Sequence, residues 1–66
     1  MKIVIEREDD GRWIAEAPDL PGVMAYGFTR TEAIIKVEAL ALRVLADRLD
    51  HDESIPELNE LFALPS

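Results

Sequence analysis

Between Arg30 and about Asp50 the chain contains no glycine and no proline, and it is rich in alanine, leucine and charged helix formers. Such a run predicts a single helix of roughly 20 residues, about 30 Å long. Thr29 stands at its start and Glu32 follows three residues later, the pairing of a capping box. On a helical wheel Ala33, Ile34, Val37, Leu40, Ala41, Val44 and Leu45 form one apolar stripe. Ile35, Ala39, Leu42, Ala46 and Leu49 form a second stripe beside it. Together the stripes cover roughly 260° of the circumference. Only Glu32, Lys36, Arg43, Asp47 and Asp50 make a clearly polar strip. A small sheet can cover one stripe. The second therefore predicts an interface with another chain, because large exposed apolar patches are rare on monomers. The alternative is a tail folded back over it.

The segment before the helix reads as three strands. Residues 2–8 alternate, with Ile3, Ile5 and Arg7 on one face and Lys2, Val4, Glu6 and Glu8 on the other. Asp9-Asp10-Gly11 is a hairpin signal, since such turns need a positive φ. On the return strand, residues 12–17, Trp13, Ala15 and Ala17 share one face, and Arg12, Ile14 and Glu16 the other. Pro18-Asp19-Leu20-Pro21-Gly22 breaks the ladder, and Pro-Gly suits a type II turn. Residues 23–28 are rich in β-formers and read as a third strand. Beyond the helix, residues 51–56 form a polar connector. Residues 57–64 read equally as a short helix, from the spacing of Leu58, Leu61 and Phe62, or as an edge strand.

With 66 residues there is room for one domain, spanning 1–66. Domains this small rarely draw more than ~3–5 kcal/mol from one core and commonly add disulfides, metals or oligomerisation. Cysteine is absent and there is one histidine, while 48% of the residues are hydrophobic. Self-association into a dimer or higher oligomer is the remaining route. Seven Lys and Arg against 14 Asp and Glu leave a net charge of −7, which argues against direct DNA or RNA binding and against an anionic membrane surface. The first apolar run is too short for a signal peptide and no stretch is long enough to span a membrane, so a cytoplasmic protein is expected.

The run Asp10-Gly11-Arg12-Trp13-Ile14-Ala15-Glu16-Ala17-Pro18-Asp19-Leu20-Pro21-Gly22 is similar to the signature of HicB-family antitoxins. In that family a Gly-x-Thr-x-x-Glu-Ala pattern then opens the helix, matched here by Gly27, Thr29, Glu32 and Ala33. The resemblance covers about residues 2–50. It implies an α+β fold, an antiparallel β-β-β-α-β sheet packed on one long helix and partly ribonuclease-H-like, with the closing strand near residues 60–64. It further implies homo-oligomers and a partner, a small basic HicA-type ribonuclease toxin that the antitoxin binds and blocks. Family members that repress their own operon carry a further DNA-binding domain. Only 16 residues follow Asp50, which is too few for one.

The chemistry expected is binding rather than catalysis. A ribonuclease-H-like nuclease needs carboxylates around a metal ion, the first of them in the middle of the first strand. Ile3-Val4-Ile5 stands there, so no catalytic residue, metal site or cofactor is expected. Glu6, Glu8, Asp9 and Asp10 read as an acidic rim. With Asp19 they are the candidate surface for a basic toxin. His51 is expected to cap the helix C-terminus and Trp13 to pack in the core. The expected function is that of a HicB-like antitoxin. The rival is a solitary oligomeric HicB-like module without a toxin.

Overall fold

The computed structural model describes residues 1–56 and Leu58. Strands β1 (Val4–Arg7), β2 (Trp13–Glu16) and β3 (Met24–Gly27) form an antiparallel meander in that spatial order, followed by helix α1 (Arg30–Asp50). The fold is α+β, as the sequence predicts, and the helix has the expected bounds. The remainder of residues 57–64, and with it the choice between closing strand and short helix, lies outside the described residues.

Each connection is built by local chemistry. In the first, Gly11 N–H donates to Glu8 O (3.0 Å) and Glu8 N–H to Arg12 O (2.7 Å), with Gly11 at φ +90°. This is a three-residue hairpin loop whose last residue is left-handed, a conformation that costs glycine little. In the second, Val23 N–H donates to Leu20 O (3.0 Å) across Pro21 and Gly22, the latter at φ +83°. Proline then positive-φ glycine is the type II arrangement. A preceding bond from Leu20 N–H to Ala17 O (2.9 Å) folds the loop so that Ala17, Leu20 and Val23 all point into the core. The Pro-x-Leu-Pro-Gly pattern is thus turn mechanics with one apolar anchor, Leu20.

Entry into the helix is tighter still. Thr29 is extended, and its Oγ1 accepts from Glu32 N–H at 3.0 Å. The other half of the expected capping box is altered, because Glu32 Oε1 lies 2.8 Å from Lys36 Nζ, one turn further on. At the far end, Glu53 N–H bonds Arg48 O (2.9 Å) and Asp52 N–H bonds Leu49 O (3.0 Å), with Asp52 at φ +59°. This is a Schellman stop with aspartate where glycine is usual. Asp52→Gly is therefore expected to stabilise the fold by about 0.5–1 kcal/mol through relief of left-handed strain. Urea unfolding measures it, through a raised midpoint at unchanged slope.

The helix lies over β3 and β2. Its buried positions Ala33, Val37, Ala41 and Leu45 follow a four-residue ridge and meet Ala15, Ala17, Leu20 and Val23, with Ile55 closing the lower end. Ile3, Ile5, Trp13, Ala25, Leu40, Val44 and Leu58 pack around them. The buried core combines the alanines Ala15, Ala17, Ala33 and Ala41 with larger apolar side chains. Among the described residues, Leu20, Val23, Val37, Leu45 and Ile55 are its larger members. Among the described residues, eight large hydrophobics are exposed: Met1, Val4, Met24, Tyr26, Phe28, Ile35, Leu42 and Leu49.

Candidate interaction surfaces

The acidic residues singled out in the sequence fall into two groups. Glu6 is exposed on β1, Glu8 is half-buried at its end, and Asp9 and Asp10 are exposed in the first turn. These four gather at one end of the sheet. Asp19 is exposed in the second connection, which a meander places at the opposite end, about 13 Å away for four-residue strands. The rim is not purely acidic. Asp10 accepts from the backbone N–H of Arg12 (3.0 Å) and from its Nε (2.7 Å). These two hydrogen bonds hold the Asp10 carboxyl below its ordinary value, with the backbone bond the larger cause. A depressed folded-state pKa stabilises above the unfolded value and is lost as pH falls through the folded one. Carbonyl-carbon NMR titration should place the Asp10 midpoint below that of an unstructured aspartate, and Arg12→Ala, which keeps the backbone donor, should return only the smaller part of the shift.

The outward face of the sheet is uncovered among the described residues. Strand alternation places Val4, Glu16 and Met24 in one cross-strand row and Glu6, Ile14 and Tyr26 in the next. The guanidinium of Arg12 lies 4.6 Å from the centre of the Tyr26 ring. On the inward face, Arg7 stands 5.8 Å from the ring of Trp13, which is half-buried against the core as expected. Phe28, just before the helix cap, is 80% exposed.

The second helix stripe is also open. Ile35, Leu42 and Leu49 are 60%, 59% and 47% exposed, Ala46 is exposed and Ala39 is half-buried. Their spacing is four, three, four, three, which is the rhythm of a coiled-coil seam, with alanine alternating with larger residues. Lys36 and Arg43 flank it on one side and Glu38 on the other.

One residue weighed for chemistry, His51, has a structural task. His51 Nδ1 donates to Asp47 O at 2.7 Å, closing the last turn of the helix. The centre of β1 is Ile5 and Glu6, with Ile5 facing inward and Glu6 outward. Among the described residues no cluster of three or more His, Asp or Glu side chains is arranged to hold a metal ion.

Over 57 residues, 86% of its length, the chain is 30% identical to the UPF0150 protein Ta0767 of Thermoplasma acidophilum, and the match covers 83% of that protein. The chain belongs to the UPF0150 family. That family is HicB-like in broad terms. No protein-family model and no solved structure matches the chain.

The geometry explains the helix-opening pattern of this UPF0150 member in mechanical terms. Thr29 caps the helix, and Ala33 is fully buried. A Cβ on Gly27 would lie 2.5 Å from Ala33 N. Sequence reasoning located the acidic rim and the helix stripe. It missed the outward sheet face as a surface in its own right. The signal was present in Val4, Ile14, Met24 and Tyr26, which are apolar at outward positions of a sheet that no second helix covers among the described residues. No helix among the described residues is long and apolar enough to cross a membrane.

Proposed function

We propose that this UPF0150 protein is a HicB-like antitoxin that acts in the cytoplasm by binding, without catalysis, a small basic HicA-type ribonuclease and occluding it. The reading is carried by the clustering of Glu6, Glu8, Asp9 and Asp10 at one end of the sheet, in a chain of net charge −7. Complementary charge speeds encounter and fixes orientation. Asp19, at the other end, would meet a different part of the partner. His51 and Asp10 already have hydrogen-bond partners of their own, which suits a binding role better than proton transfer.

The working unit is an assembly of at least two copies held along Ile35, Ala39, Leu42, Ala46 and Leu49. The same seam favours the second reading, a solitary self-associating module with no toxin. Titrating the purified protein into an RNA-cleavage assay of the basic protein encoded beside it separates the two. Loss of cleavage at a near-equimolar ratio supports the antitoxin. Undiminished cleavage with no complex on a sizing column leaves the solitary module.

A further inference from the structure

The two open apolar faces differ in their charge. The helix seam is bordered by both signs, Lys36 and Arg43 with Glu38, Asp47 and Asp50. Such a border tolerates a second copy of itself. On the outward sheet face, Val4, Ile14, Met24 and Tyr26 are interleaved with Glu6 and Glu16, with Glu8 at the end of β1. The cations on this face are Lys2, two residues before the start of β1, and Arg12, whose guanidinium is already engaged by Asp10 at 2.7 Å and by the Tyr26 ring at 4.6 Å. Two copies stacked through this face would set carboxylates against carboxylates, which is repulsive when desolvated. A partner with the opposite pattern would not meet that obstacle.

We propose that the outward face of the sheet docks a cationic amphipathic segment of another protein, one whose aliphatic or aromatic side chains alternate with Lys or Arg. Its apolar side chains rest on Val4, Ile14, Met24 and Tyr26, and its cations reach Glu6 and Glu16. Tyr26 is the anchor. It stands on the edge strand β3, is 42% exposed, its ring is held by Arg12, and rigid aromatic side chains carry a large share of binding energy. Phe28, at the edge of the patch, widens the apolar contact. The inference deepens the antitoxin reading, from which it takes only the partner's basic character.

The test uses the full-length protein in two arms. In the first, a synthetic peptide alternating Lys with Val and Leu is titrated into the labelled protein and followed by NMR. Shifts should map to Val4, Ile14, Met24 and Tyr26, weaken with salt, and be absent for a peptide with Glu in place of Lys. In the second arm, the adjacent basic protein is bound to wild type and to two variants. Tyr26→Ser removes the anchor, and the double change Glu6→Lys with Glu16→Lys reverses the charge while keeping every apolar group. Each should weaken binding by about tenfold or more, with an unchanged helical spectrum. Shifts confined to the helix seam, or to no surface, overturn the proposal. So does wild-type affinity in both variants, an outcome that leaves the antitoxin reading standing. Peptide shifts on the sheet face without any binding of the basic protein support the surface and remove that reading.

Discussion

Gly27→Ala is expected to cost most of the stability of this domain. The added methyl group would sit 2.5 Å from Ala33 N, 3.0 Å from Ala33 Cα and 3.0 Å from Glu32 C. All three are backbone atoms of the first helical turn, so no side chain can swing aside. That turn is pinned by the Thr29 cap, by the bond from Ala33 N–H to Thr29 O (3.1 Å) and by the full burial of Ala33. Relief therefore requires the helix to lift from β3, which would open the contact that forms the core. Overpacking costs about 1–3 kcal/mol even where neighbours can shift. The loss of unfolded-state freedom when glycine becomes alanine returns about 0.4–1 kcal/mol, which is too little to reverse the sign. Against the ~3–5 kcal/mol available to a domain of this size, the net loss should lower the thermal midpoint by about 10 °C or more. An unchanged melting curve would mean that strand and helix do not approach this closely. Gly11 and Gly22 offer a contrast, because a Cβ there meets nothing within 4 Å and the penalty comes from positive φ alone.

Leu42→Glu is expected to split the proposed assembly while leaving the individual fold intact. Leu42 sits in the middle of the seam and is 59% exposed in the isolated chain, so a carboxylate there is hydrated and harmless to the protomer. Pressed against a second copy, the same carboxylate loses its water without gaining a partner, a penalty of several kcal/mol. Each 1.4 kcal/mol is tenfold in affinity, so the assembly should weaken by at least about a hundredfold. Ala46→Glu should act in the same way, since Ala46 is exposed on the same stripe. Arg43→Ala, beside the seam, should have a small effect, as exposed ion pairs contribute about 0–1 kcal/mol. Circular dichroism should show equal helix content in all three variants, and chemical cross-linking should yield a dimer band only for Arg43→Ala.

How far the fold could be read from the sequence depended on the range of the interactions that shape each element. The helix is bounded by local signals, Thr29 before it and the polar connector of residues 51–56 after it, and its limits were legible. Both turns were legible for the same reason, because Gly11 and the Pro21–Gly22 pair carry their conformations in their own chemistry. Gly27 was recognisable only as part of a pattern. Its physical reason, the approach of Ala33, joins a strand to a helix and has no local signature. The stop at Asp52 was also hidden, since aspartate at positive φ is a minority choice. For the candidate surfaces, wheel arithmetic found the helix stripe, because the apolar positions cover far more of the circumference than one small sheet can bury. Grouping the acidic residues needed the topology. Sequence proximity joined Asp19 to the others, while the meander turns it to the opposite end of the sheet.

The open helix seam, continuing along Ile35, Leu42 and Leu49 on the side of the helix away from the buried core, is the centre of this account. The most direct test is the solution mass of the unmodified protein, measured by light scattering across a dilution series. The chain weighs 7.4 kDa, so a dimer is 2 × 7.4 = 14.8 kDa. The account predicts 14.8 kDa or a larger multiple at high concentration, falling toward 7.4 kDa on dilution and already at 7.4 kDa for Leu42→Glu. A mass of 7.4 kDa for the wild-type protein at every concentration would contradict it.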